Sequence, residues 1–273
     1  MRSILDALEI NKNASPERIA VSCEEDVLNY SELYEYSDRL ANKLKKIGLV
    51  KGDVVALMFP NIIEFVVSYF AVLKAGGVVL TINIIDSVED IRYVLEDSRV
   101  RCIIYWDKFR DLFESILKGL KGRVLSISLG GRDLKNQLGY KYSSGEISDK
   151  YKSIDIEEND ISSILYTSGT TGPPRGAMHS YKNFAFVSKI WKELLAITPD
   201  DKFLAILPLF HPFSQSAILN PCIWCGATLV TLPKLDITET IRVINEKGIT
   251  LLYVVPEILK LLLKKYEQEK FEL

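Results

Sequence analysis

Apolar residues at Leu33, Tyr36, Leu40, Leu44 and Ile47 recur every three or four positions, which places them on one face of a helix running from Ser31 to Gly48. Val54 to Phe59 is a short apolar run of strand type after the Gly52-Asp53 turn. Asn61, with Glu64 three residues on, reads as the N-cap of the next helix. Phe65 to Ile85 is the most apolar stretch, but Lys74 and Gly76-Gly77 interrupt it. It reads as a buried helix, a turn and a buried strand (Val78 to Ile82), and no membrane span is expected. Ser87-Val-Glu-Asp90 caps a further helix leading to the strand Arg101 to Tyr105, and another helix and the strand Arg123 to Ile127 follow.

This alternation of helices with apolar, β-branched strands predicts an α/β fold of mostly parallel sheets flanked by helices. From Ser128 the pattern stops and the chain fills with Gly, Ser, Lys, Asp and Tyr. The organisation expected is a first α/β lobe over 1–127, a polar connection over 128–160 and a second α/β lobe over 161–273. Strands are expected at Ile161 to Tyr166, Phe203 to Leu207, Ala227 to Thr231 and Thr250 to Val254, with a helix from Pro256 to Lys270.

Composition narrows the function. With 273 residues, 48% hydrophobic and 26% charged, the chain has ample material for a core. Its 34 basic and 36 acidic residues leave a formal charge of −2, so no bulk basic face awaits a nucleic-acid backbone. Four scattered cysteines suggest a reducing, cytoplasmic setting. Met1 to Lys12 lacks the apolar run of a secretory signal. Cys222 and Cys225 form a C-x-x-C, open to a redox or metal reading, but no second Cys pair or His cluster completes a metal site and the flanks are apolar, favouring buried small hydrophobes.

The most informative segment is Tyr166-Thr-Ser-Gly-Thr-Thr-Gly-Pro-Pro-Arg-Gly176, directly after a strand. Gly169 and Gly172 let backbone N–H groups converge, Thr167, Ser168, Thr170 and Thr171 add compact hydroxyl donors, and Arg175 adds fixed charge. Such a loop suits a polyphosphate, although a Ser/Thr/Gly turn is also a common plain connector. A Walker loop does not fit, since Pro174 stands where its second glycine belongs, and no Gly-x-Gly-x-x-Gly is present.

The segment closely resembles the phosphate-binding signature of the adenylate-forming enzymes, the superfamily of acyl-CoA synthetases, aryl-CoA ligases and adenylation domains. Leu28-Asn-Tyr-Ser-Glu-Leu33, Gly52 to Asn61, Leu73-Lys-Ala-Gly-Gly77 with Asn83, Pro208-Leu-Phe-His211 and Thr250 to Pro256 resemble further family elements, in order and with matching spacing. The resemblance implies an ATP-dependent acid–thiol ligase that converts a carboxylic acid, with a fatty acid expected, to an acyl-adenylate and then a coenzyme A thioester. It implies ATP, Mg²⁺ and CoA as cofactors. Thr167, Ser168, Gly169, Thr170, Thr171, Gly172 and Arg175 would bind ATP or pyrophosphate, with Thr167 near Mg²⁺, and His211 and Phe213 would border the acyl and CoA channel. A packed core histidine is the alternative for His211 when the resemblance is set aside.

Two departures stand out. The family usually places Lys where Arg175 stands, which keeps the charge but changes its geometry. The adenine-stacking, ribose-binding and C-terminal lysine elements of the family have no counterpart before Leu273. The expectation is therefore an N-terminal portion, incomplete as a catalyst alone, working as a homo-oligomer or with a complementing C-terminal chain. The alternatives are a non-catalytic nucleotide- or acyl-binding subunit and a structural oligomerisation partner.

Overall fold

The computed structural model describes residues 2–120, 124–130, 154–167 and 174–269, with only the backbone described for Thr167, Gln268 and Glu269. Helix α1 (Ile4–Ala14) leads into the hairpin β1 (Ile19–Cys23) and β2 (Asp26–Asn29), then α2 (Tyr30–Lys46), β3 (Val54–Met58), α3 (Ile63–Lys74) and β4 (Val78–Thr81). Next come α4 (Val88–Asp97), β5 (Cys102–Trp106), α5 (Arg110–Leu117), β6 (Leu125–Leu129), and the hairpin β7 (Ile161–Thr167) and β8 (Arg175–Ser180). The remainder is α6 (Tyr181–Leu194), β9 (Lys202–Ala205), the short α7 (Pro212–Ser214), a π-helical turn Gln215–Leu219, α8 (Asn220–Cys225), β10 (Thr228–Thr231), α9 (Ile237–Lys247), β11 (Leu251–Leu252) and α10 (Pro256–Glu269).

The described strands form two sheets, ordered β6-β5-β3-β4-β7-β8 and β11-β9-β10-β1-β2. All neighbours are parallel except the hairpin pairs β7–β8 and β1–β2. The α/β class with mostly parallel sheets is thus observed. Each sheet draws strands from both sides of 128–160, because β7 and β8 extend the sheet of β3 to β6 while β1 and β2 pair onto β10. The sheets therefore do not divide where the polar segment falls. Pairing partners in this fold are chosen by burial across the whole chain, and β1 and β2 cover an edge that β10 would otherwise leave open.

Helix α3 explains how the sheets are joined. Eleven of its residues, Ile63 and Phe65 to Lys74, are buried, and it contacts strands of both sheets. A helix apolar all round belongs inside, and this one forms the central layer. The opposite face of β3, β4 and β5 packs on α4 and α5 through Ala56, Met58, Leu80, Val94, Leu95 and Phe113. Asn29 caps α2 reciprocally with Glu32 and Ser87 caps α4, and Gly48 takes the left-handed conformation (φ 93°) just past the end of α2.

One local expectation is corrected. Asn61 does not cap α3; the cap position is Ile62, with no side-chain hydrogen bond. The amide of Asn61 is committed elsewhere in the fold, and the apolar burial of α3 stabilises that helix without a polar cap. No helix among the described residues is long and apolar enough to cross a membrane.

Candidate active site

Ligands of open parallel sheets gather where the strands end at their carboxyl side, and four such ends meet here. Asn61 follows β3, Thr81 ends β4, Thr167 ends β7, and Pro208-Leu-Phe-His211 follows β9. Asn61 holds the last of these. Its Nδ2 donates to the carbonyls of Ala205 (3.0 Å) and Leu207 (2.9 Å), and its Oδ1 accepts the Leu209 N–H at 2.7 Å. Thr81 Oγ1 donates to the Phe210 carbonyl at 2.6 Å. These bonds pin the segment that presents His211 against the ends of β3 and β4.

His211 is exposed. Its Nδ1 accepts the Phe213 N–H at 3.2 Å, capping α7, so a neutral ring carries its proton on Nε2. It is therefore not a packed core histidine. Phe213 is 41% exposed and meets the Tyr253 ring edge-on at 6.1 Å, while Tyr253 also contacts Trp191 (5.4 Å) and Phe203 (6.2 Å). Burial pushes the Tyr253 phenol up to about 12. The pattern along the chain gave no reason to place Trp191 beside Phe213, since Tyr253 joins them through side-chain packing alone.

The hydroxyl- and glycine-rich segment falls between β7 and β8, whose facing end residues Thr167 and Arg175 pair. Ser168, Gly169, Thr170, Thr171, Gly172 and the side chain of Thr167 lie outside the described residues. Arg175 stands exposed at the mouth of the hairpin. Gly176, next to it, is required by space: a Cβ there would fall 2.7 Å from Ile164 Cγ2 and 3.0 Å from the Tyr166 ring. The Tyr166 hydroxyl is anchored in turn on Asp97, and burial with that carboxylate raises its pKa.

Two other sequence elements turn out to shape the scaffold. Lys74 lies buried between helices, 2.7 Å from Asp38 and 2.9 Å from the Tyr34 carbonyl, and burial lowers its pKa to about 8. Gly76 (φ 73°) and Gly77 make the tight turn into β4, where a Cβ on Gly77 would meet Val72 Cγ1 at 3.0 Å. Cys222 and Cys225 are buried free thiols. Burial raises both pKa values, that of Cys225 to about 11, and so keeps them in the unreactive thiol form.

The family follows from comparison. A family model described as AMP-binding enzyme matches residues 8–272, and the chain belongs to that family. Among relatives, it is 29% identical over 291 residues to a long-chain-fatty-acid–CoA ligase of Bacillus subtilis, covering 94% of this chain and 51% of the relative. ATP-bound MatB from Rhodopseudomonas palustris superposes with a TM-score of 0.82 at 28% identity, covering 96% of this chain and 51% of that one. The inhibitor-bound N-terminal domain of FACL13 from Mycobacterium tuberculosis superposes with a TM-score of 0.83 at 25% identity, covering 96% of this chain and 65% of that domain. The chain thus spans about half the length of the curated relative and matches the N-terminal domain of such ligases.

Proposed function

We propose that this chain is the nucleotide-gripping part of an acyl-CoA synthetase, one that activates a carboxylic acid with ATP to an acyl-adenylate and passes the acyl group to CoA. The observation that carries the reading is the convergence of the β7–β8 hairpin with the His211 segment at the carboxyl ends of β3, β4 and β9. The attack of a carboxylate on the α-phosphorus brings two anions together and releases pyrophosphate, so the protein must absorb growing negative charge on the leaving group.

The residues present fit a polyphosphate. Arg175 is exposed at the hairpin mouth and makes no ion pair among the described residues, so its charge is available to a ligand. Arg175, with Thr167, Ser168, Gly169, Thr170, Thr171 and Gly172, would hold the β- and γ-phosphates, and Thr167 would stand near Mg²⁺, which supplies further neutralisation of the leaving pyrophosphate. His211 and Phe213 would border the acyl and CoA channel. The apolar Phe213, Trp191 and Tyr253 surface suits the hydrocarbon part of a fatty acid, the substrate named for the Bacillus subtilis relative.

A partner belongs to the same reading. Phe186, Ile190 and Leu194 form an exposed stripe on α6, and Leu259 and Leu263 lie exposed together on α10, each 44% to 69% exposed. Helices whose other faces already pack on a core do not leave such stripes bare without a use. We assign them to a contact with a second copy or with a complementing C-terminal part of the ligase fold. Four buried free thiols favour a reducing, cytoplasmic setting.

The test is ATP–pyrophosphate exchange by the purified chain with short, medium and long fatty acids and with aromatic acids. Exchange above background makes this chain an adenylating enzyme and identifies the acid class. Retained ATP binding without exchange makes it the binding part only, and absence of both contradicts the reading.

A further inference from the structure

Pro221 has no N–H and so cannot donate to the carbonyl four residues back, at Ala217. The chain adopts a wider turn at Gln215–Leu219, in which the Asn220 N–H reaches the Gln215 carbonyl, and Asn220 Nδ2 donates to the same carbonyl (2.9 Å) and to the Tyr69 hydroxyl (3.0 Å). Such π-helical turns are uncommon and concentrate at functional positions. Here the turn leaves Gln215 fully buried, with its amide committed at both ends.

Gln215 Oε1 accepts from Ser163 Oγ at 3.4 Å, and Gln215 Nε2 donates to Thr81 Oγ1 at 3.1 Å. Thr81 Oγ1 spends its own proton on the Phe210 carbonyl at 2.6 Å. The donors therefore all point one way, from Ser163 through Gln215 and Thr81 to Phe210. Ser163 lies on β7, four residues before Thr167 and the phosphate hairpin, while Phe210 immediately precedes His211. One buried side chain thus bridges the strand that carries the phosphate loop and the segment that presents the histidine.

Ser214 Oγ and Asn220 Oδ1, at the two ends of the π-helical turn, are buried without a hydrogen-bond partner among the described residues. Unpaired buried polar atoms are costly, so this arrangement holds less than the full set of bonds its own groups could make.

We propose that Gln215 is a positioning residue that couples occupancy of the β7–β8 hairpin to the setting of His211. The inference rests on the reading of the hairpin as a pyrophosphate site, and it concerns how the two halves of the site communicate. A phosphate ligand drawn into the hairpin shifts β7, Gln215 follows Ser163, and the Thr81–Phe210 link carries the change to His211.

The chain contains two histidines, His179 and His211, which makes the test direct. His179 lies on β8, four residues past Arg175, and reports binding at the hairpin itself; His211 reports transmission. The imidazole resonances of both are followed while magnesium pyrophosphate is added to the full chain. In the unaltered protein both are expected to shift. In Gln215→Met, which keeps the length of the side chain but neither hydrogen bond, the His179 shift is expected to persist and the His211 shift to be lost. Should Gln215→Met not fold, Ser163→Ala, which removes only the β7 end of the bridge, is expected to give the same pattern. A His211 shift that survives in the variant, or that never occurs in the unaltered protein while His179 responds, overturns the coupling and leaves the hairpin reading intact. Silence of both histidines in the unaltered protein contradicts the hairpin reading, and the coupling falls with it.

Discussion

Asn61 and Leu209 stand 148 residues apart in sequence and 2.7 Å apart in the fold, the Asn61 side-chain oxygen accepting the Leu209 N–H. With its two donated bonds to Ala205 and Leu207, Asn61 satisfies three backbone groups of the segment leading to His211. Asn61→Ala leaves buried groups unpaired and is expected to lower unfolding stability by about 2–3 kcal/mol. Urea denaturation measures it, and a loss below the error of the fit would mean that water replaces the amide without consequence.

Gly176 provides a steric prediction. Because a Cβ would press on Ile164 and the Tyr166 ring, Gly176→Ala must spread the β7–β8 hairpin or move those side chains, at a cost of about 1–3 kcal/mol. The same displacement moves Arg175 away from Thr167, so weaker ATP binding is expected alongside the lowered melting temperature. Unchanged stability and unchanged affinity together would show that the hairpin has room to spare.

Lys74 gives a pH dependence with a definite sign. Its pKa is lowered to about 8 in the fold by burial, from an ordinary 10.5, so between pH 8 and 10.5 the unfolded chain binds more protons. Stability contributed through this residue therefore rises across that window and is lost as pH falls back through 8. Lys74→Met removes the window but leaves Asp38, whose pKa burial already raises, without its cation. That single variant is expected to be less stable at pH 7 and to recover as pH falls and Asp38 takes up a proton. The double variant with Asp38→Asn is expected to exceed the single one in stability. Parallel pH profiles of the original protein and Lys74→Met would contradict this.

The exposed stripes on α6 and α10 predict self-association of the isolated chain. Sedimentation at rising concentration is expected to show a dimer or larger species, and Phe186→Glu with Leu194→Glu is expected to dissolve it. A monomer at every concentration would leave a complementing partner as the remaining occupant.

Some of this organisation was legible in the sequence. The α2 periodicity, the Ser87 cap and the apolar α3 with its glycine turn appear where local pattern places them, because burial on one face or on all faces leaves a direct mark on residue type. The β1–β2 hairpin left none: it is short, carries charges at both ends, and owes its place to pairing with β10 some two hundred residues later. Asn61 departs from its local pattern for the same reason. Its spacing to Glu64 satisfies a local rule, but three distant backbone groups compete successfully for the amide. Gln215 carries no pattern signal at all, since what makes it consequential is the wider turn forced by Pro221. The hydroxyl- and glycine-rich segment was recognisable by motif, whereas the link from Gln215 through Thr81 to Phe210 became apparent only in the folded chain.

The central claim is that the hairpin bounded by Thr167 and Arg175 grips the polyphosphate of ATP. The measurement that addresses it most directly is calorimetric titration of magnesium ATP into the purified chain and into Arg175→Ala and Arg175→Lys. The account predicts saturable one-site binding, weakened in the alanine variant by about 10- to 100-fold, as loss of a charged hydrogen bond implies, and largely restored by lysine. Equal affinity in all three proteins, or no binding to the original chain, would contradict it.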